Sequence, residues 1–323
     1  MKRAALIVCL GLLACAISFS ARSQTREFPD KPLRLVVAYA PGGATDIVAR
    51  MLAQELTQIL GQSVIVENKA GGGTLVGSDS VRRAPADGYT LLFGTNAFII
   101  TPLLHNGPTY DPIKDFSHVS LTTIQPLALL VSPSLNIKSV SELVQYAKAN
   151  PGKINFASSG NGSAQHLAGE AFRSAANIDI THVPYKGAGP ALIDLLAGRV
   201  DIMFTSMVGN TDHIKHGRLI MVATTGQKRS VATPDTPSVS EFLPGYQAYT
   251  WQGVIAPAQT PEPTIAKLNA AIKKATSTPA FYEKLNAQGM EVQTSSPQEM
   301  RTRLAAESLE YQSLLSKTQT SIK

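Results

Sequence analysis

Cysteine is almost missing from this chain of 323 residues: there are two, Cys9 and Cys15, and both fall in an N-terminal stretch that reads as a removable leader. Cut after Ser23, the chain keeps none, which excludes a disulfide framework, a thiol nucleophile and a cysteine metal site. Long apolar runs are lacking too. The run from Ala4 to Ile17 is too short to span a bilayer comfortably. An excess of one charge is also missing, because the formal +6 falls to +3 once Lys2, Arg3 and Arg22 leave with the leader. No basic run interleaved with aromatics occurs, so nucleic acid is not an expected partner. No nucleophile elbow, Walker loop or zincin motif occurs, and nothing fixes a triad among the serines and histidines. The expectation is a protein that is not an enzyme and carries no cofactor.

What is there begins with the leader. Lys2 and Arg3 precede the apolar run, and Ala21-Arg22-Ser23 offers small residues at the spacing signal peptidase uses, so residues 1–23 are read as a cleaved secretion signal. A second reading stands beside it, in which Leu12-Leu13-Ala14-Cys15 is a lipoprotein box and Cys15 an anchored first residue. That cleavage would leave Ala16-Ile17-Ser18-Phe19 as an apolar stub. With 44% hydrophobic and 16% charged residues, the remainder has the composition of a globular protein.

The remainder is organised around Leu35 to Asp46, where an apolar strand stops at Pro41-Gly42-Gly43 and a helix begins. Such a turn aims the unpaired N–H groups of the first helical turn, and the positive end of the helix dipole, at whatever lies above the strand. The plainer alternative is a tight turn that needs glycine freedom and nothing more. A second copy follows about a hundred residues on: strand Ile154 to Ala157, loop Ser158 to Gly162, and a helix opening at Ser163. Two anion seats on separate halves suggest a clamp.

Strand and helix alternate along both halves, which argues for an α/β protein in which each lobe is a mostly parallel sheet flanked by helices. The expected lobes are 28–124 plus 250–323 and 125–249, with crossings near Asp111 to Val131 and at Trp251 to Ala256. Strand ends should line one edge of each sheet, which brings Asn96, Tyr185, Lys186, Thr205 and Ser206 to the cleft. Ser139 with Glu142 and Ser296 with Glu299 read as capping boxes. Gly71 to Gly77 imitates a dinucleotide loop, but its glycines start three residues after the strand. His213 and His216 share a helix face without a third ligand at sensible spacing, and read as a solvated helix end.

Several runs taken together carry a resemblance: Tyr39 to Asp46, Val66-Glu67-Asn68-Lys69, Ala86 to Thr90, His166 to Glu170, His182 to Gly187, Leu195 to Asp201, and Trp251 to Pro257. In this order the chain resembles the periplasmic solute receptors of tripartite tricarboxylate transporters, often called the Bug family. The resemblance implies a two-lobed "Venus flytrap" periplasmic binding protein, expected as a monomer, that closes over a small carboxylate and is then recognised by membrane permease subunits. A receptor reporting to a membrane sensor, or a secreted hydrolase, are the alternatives. The grip it implies falls on Tyr39, Gly43, Ala44, Thr45 and Asp46 from one side and on Ser158, Ser159, Gly160, Asn161, Ser163 and His166 from the other. Asp46 reads as a cap or an orienter of the loop, since a bare carboxylate would repel an acid. For His166 the alternative to ligand contact is a capped core histidine. Where many members have an acid after the Val-Asp-x-Met-Phe strand, this chain has Thr205 and Ser206. That absence weakens an amino-acid ligand and favours a dicarboxylate or an aromatic acid.

Overall fold

Every residue of β1 (Leu33–Val37) except Arg34 is buried, as a strand covered by helices on both faces requires. It pairs in parallel with β2 (Val64–Asn68) and β3 (Thr90–Thr95). Helices α1 (Ala44–Leu60) and α2 (Leu75–Arg82) make the two crossovers. Helix α1 buries Val48, Ala49, Leu52, Ala53 and Leu56 on one face and stops at Gly61, whose positive φ of 67° lets its N–H return to Thr57 O. The computed structural model describes residues 27–105 and 109–318. The chain divides into Met1–Asp30 and Lys31–Lys323. Only residues 27–30 of the first unit are described, and the leader with Cys9 and Cys15 lies outside the described residues.

Two sheets make up the second unit. The first has the order β11-β4-β10-β3-β1-β2, with β4 at Phe116–Pro126, β10 at Tyr249–Pro257 and β11 at Glu291–Val292. The second has the order β7-β6-β8-β5-β9, formed by β7 (Ile180–Pro184), β6 (Ile154–Ser158), β8 (Ile202–Thr205), β5 (Ala128–Val131) and β9 (Ile220–Thr224). Both sheets are mixed, where mostly parallel ones were expected. β10 runs antiparallel to β3 and β4, and β5 runs antiparallel to β8 and β9. The reason is the path of the chain. It leaves the first sheet along β4 and returns along β10, and two segments passing one point in opposite directions pair antiparallel.

That ribbon is stitched where it leaves the sheet. Thr225 donates its N–H to Leu127 O at 2.8 Å, its Oγ1 accepts from Leu127 N at 2.7 Å and donates to Ala248 O at 2.6 Å, and Ala248 N returns to Thr225 O at 2.9 Å. In the second sheet, Leu127, Leu129 and Val131 join a core with α4 (Val140–Ala149) and α5 (Ala164–Ala176), while Ala128 and Leu130 join another with α6 (Ala188–Leu196). The alternation is the two-residue period of a strand buried on both faces.

Ser296 and Glu299 open α10 (Pro297–Thr318) as a reciprocal capping box, at 3.1 and 2.7 Å. At α4, Ser139 takes the N–H of Glu142 as expected, but Glu142 reaches back to Lys138 N instead of the cap. Helix α7 is short, at Thr211–Lys215, and α8 spans Glu262–Thr276. Sequence reading passed over α3 (Ala97–Leu104), a uniformly apolar segment with Pro102 inside it and no helical period, and α9 (Pro279–Asn286).

Behind the loop that follows β6, the rings of His166 and His182 stack with centroids 4.1 Å apart, and Phe156 stacks on His182 at 4.8 Å. His182 Nε2 lies 2.6 Å from Ser158 Oγ, and His166 Nδ1 accepts the N–H of Gly162 at 3.3 Å. Burial, then the neighbouring His166, pushes His182 down to about 3, and burial lowers His166 in spite of Glu170. Both rings are therefore neutral at pH 7, as an acceptor Nδ1 demands. The unfolded chain takes up these protons near pH 6.5 and the folded one resists until far lower. Stability is thus complete above that pH and falls on acidification, by up to about 1.4 kcal/mol per pH unit for each proton withheld. Melting temperatures from pH 7 to pH 4 should fall, and His182→Asn should fall less steeply than the parent. Parallel slopes would contradict a neutral native ring.

Candidate functional site

Each sheet ends in a small-residue loop that opens a helix, and the two loops face one another. In the first, Gly42 has φ of 89° and Gly43 is the cap residue of α1 without a side-chain cap. The first intrahelical bond runs from Ile47 N to Gly43 O at 3.0 Å, so the N–H groups ahead of it have no partner within the helix. Asp46 holds this loop from behind. Its Oδ2 accepts Gly42 N at 3.1 Å and Arg50 Nε at 3.0 Å, and its Oδ1 accepts Asn68 Nδ2 at 2.9 Å, with a further Arg50 contact at 2.9 Å. Burial alone would raise this carboxyl. The bonds from Arg50, Asn68 and Gly42 outweigh it and hold the pKa below the ordinary value. Asp46 is ionised, paired and 4% exposed, and it orients the loop while Gly43 occupies the cap.

The second loop uses up more of its own donors than its composition suggests. Ser159 N donates to Gln165 Oε1 at 2.8 Å, Gly160 N to Ser158 Oγ at 3.1 Å, Gly162 N to His166 Nδ1, and His166 N to Ser163 Oγ at 3.2 Å. What faces the cleft is Ser159, Ser163 and the start of α5 at Ala164 and Gln165. A third wall comes from the ribbon between the sheets, as Gln125, Thr250 and Gln252, with Thr95 and Tyr39 beside it. Tyr39 OH lies 2.9 Å from Thr95 Oγ1, and burial, against the hydrogen bonds of Thr95 and Ser159, pushes its pKa up to about 12. It stays a neutral hydroxyl.

The cavity encloses ≈ 40 Å³. Main chain from the two loops' surroundings meets beside it: Ala40 N donates to Lys186 O at 2.8 Å. A Cβ on Gly189 would stand 2.5 Å from Pro41 O, one on Gly73 2.6 Å from Asn161 O, and one on Gly162 2.7 Å from Thr101 Oγ1. Among the described residues that line it, the one charged side chain is Asp46, already paired.

Of the residues singled out from sequence, Tyr39, Gly43, Ala44, Thr45, Asp46, Ser159, Ser163 and Ser206 line this cavity. Gly160, Asn161, Tyr185 and Lys186 line a neighbouring cleft of ≈ 480 Å³ together with Thr101 and His105. There Tyr185 OH donates to Asp194 Oδ2 at 2.7 Å. Ser158, His166 and Thr205 stand one layer back, with Thr205 Oγ1 accepting from Gln165 Nε2 at 3.3 Å. Asn96 serves the ribbon: its Oδ1 accepts Trp251 N at 3.0 Å and its Nδ2 donates to Tyr311 OH at 3.4 Å. Sequence reading missed Gln125, Thr250, Gln252 and Gln165. Thr250 and Gln252 were signalled by their alternate positions in β10, whereas Gln125 lies in a strand with many polar residues, Ser117, His118, Ser120, Thr122 and Thr123 among them, that gave no such signal.

Comparison with known proteins shows the family and the fold. The family described as "Tripartite tricarboxylate transporter family receptor" matches residues 48–319. Protein BugT of Bordetella pertussis is 33% identical over 326 residues, covering 100% of both chains. The structure of periplasmic binding protein BugD superposes with a TM-score of 0.87 at 33% identity, covering 90% of this chain and 98% of that one. Rpa4515 of R. palustris, solved with adipate, gives 0.86 at 32% identity over 90% and 98%. MatC of Rhodopseudomonas palustris, solved with malate, gives 0.84 at 32% over 89% and 100%. With its two lobes and the cleft between them, the chain belongs to the tripartite tricarboxylate transporter receptor family of periplasmic binding proteins.

Proposed function

We propose that the cleft captures a small organic acid, a dicarboxylate or an aromatic acid, and that the closed, loaded protein is handed to a membrane permease of the tripartite tricarboxylate type. The observation that carries this reading is the meeting of two helix starts over a cavity whose lining holds no unpaired charge. Helix N-termini and hydroxyls are donors, and donors favour an anion. Each charge-assisted hydrogen bond contributes roughly 1.5 to 3 kcal/mol, and micromolar affinity takes about 8 kcal/mol after ordering costs, so four or five neutral donors suffice. Asp46 does not oppose the anion, since its charge is spent on Arg50, Asn68 and Gly42. No acid in the lining is free to pair with an ammonium group, which weakens an amino-acid ligand. The adipate and malate held by the two R. palustris proteins lie within the proposed class.

Binding from both lobes favours the shut form over the open one, so the ligand draws the population toward closure. Adipate, L-malate, citrate, benzoate and a set of amino acids, each screened by thermal shift, test the reading. At a hundredfold excess over Kd the right acid adds about 2.7 kcal/mol, a rise of several degrees. Trp251, 1% exposed with its Nε1 donating to Glu307 Oε2 at 2.8 Å, lies in the ribbon and should change its emission with the same ligand. A response to amino acids alone would overturn the assignment.

The seam gives a second test. Gly189→Val places side-chain atoms where Pro41 O already stands 2.5 Å from a Cβ, so it should prop the lobes apart. Calorimetry should then show acid affinity reduced about tenfold or more, with the unliganded melting temperature changed little. Unaltered affinity would mean that closure contributes nothing to binding.

A further inference from the structure

The ribbon between the sheets carries four polar side chains on one face. Cα partners in the antiparallel pairing are Gln125 with Thr250 and Thr123 with Gln252, while Ile124 and Trp251 point the other way. Gln125 and Gln252 are 3% and 2% exposed, and both line the cavity. Buried amides at such positions are costly unless their polar atoms are met.

Their oxygens are met by the protein. Ser206 Oγ accepts the N–H of Val208 at 3.0 Å and donates to Gln125 Oε1 at 2.9 Å. In this arrangement the hydroxyl gives its one proton to Oε1 and meets the backbone N–H with a lone pair. Thr123 Oγ1 donates to Gln252 Oε1 at 3.3 Å, and Thr122 Oγ1 ties down Gln252 O at 3.0 Å. Neither Nε2 has a hydrogen-bond acceptor among the described residues. Two NH2 groups, held by their oxygens, are thus left to the cavity at the wall away from the helix starts.

We infer that Gln125 and Gln252 determine specificity by donating to a second oxygen-bearing group of the ligand, so that the cleft selects an acid with a distal acceptor over a simple monocarboxylate. This rests on the organic-acid reading above. An apolar end would leave two buried amides unmet, and an ammonium end would face donors. Both glutamines stand on strands of the first sheet, and Gln125 is held from the second lobe by Ser206.

Calorimetry of the purified protein with adipate, L-malate and hexanoate tests the inference. The parent should bind one of the diacids at least about tenfold more tightly than hexanoate. Gln125→Met and Gln252→Met, close in volume and without donors, should each weaken that diacid about tenfold or more and change hexanoate by less than about twofold. Gln125→Glu should lose more at pH 7 and regain part of it on acidification, as its carboxylate takes a proton; a role in packing alone would not follow pH. Equal losses for diacid and hexanoate, or no loss in either glutamine variant, would overturn the inference and leave the organic-acid reading intact. So would a parent that prefers hexanoate. A parent that binds none of these acids, nor citrate or benzoate in the thermal-shift screen, would overturn both.

Discussion

Two backbone loops can grip one small ligand between them only if nothing protrudes from either. Both loops after the leading strands are rich in glycine, alanine and serine, and glycines fill the closest approaches: Gly43 faces Ala188, Gly189 faces the main-chain oxygen of Pro41, and Gly73 that of Asn161. The N–H groups at a helix start reach about one hydrogen-bond length. Any side chain larger than these would hold the halves apart by more than that. The small-residue composition is therefore a condition of the clamp, and positive φ at Gly42, Gly160 and Gly162 is the conformational means by which each loop turns its main chain inward.

What remains of the architecture supplies rigidity around that seam. The cores of the second sheet are self-contained, with Leu127 at the crossing as their edge. The crossing is a two-stranded ribbon clasped by Thr225, whose one hydroxyl both accepts from Leu127 N and donates to Ala248 O. Asp46 and the stacked histidines act at the other end, each holding one loop from behind.

The alternation of strands and helices and the two small-residue turns that open helices were legible in the sequence, because period and turn chemistry are local. The strand directions were not. Antiparallel entry of β10 follows from where the chain returns, which no window of residues contains. In the first loop Asp46 could be read as a cap or an orienter, since two of its three donors, Gly42 and Arg50, lie four residues to either side of it. The second could not: the amides of Ser159 and Gly162 are taken by Gln165 and His166 from the following helix, and composition does not reveal that. Gln125 and Gln252 are more than a hundred residues apart, and only the ribbon's register brings them to one face. Helix α3 carries no amphipathic signal because its residues are nearly all apolar and Ala97 to Thr101 are buried without interruption.

The pairing of Asp46 inside its own lobe has a consequence for the medium. A receptor that met its acid with lysine or arginine would bind more weakly as ionic strength rises, since mobile ions compete for exposed charge over a Debye length of about 8 Å at physiological salt. Here the lining offers dipoles and one carboxylate already paired within its own lobe. On the organic-acid reading, the grip should weaken less with salt than one made by lysine or arginine.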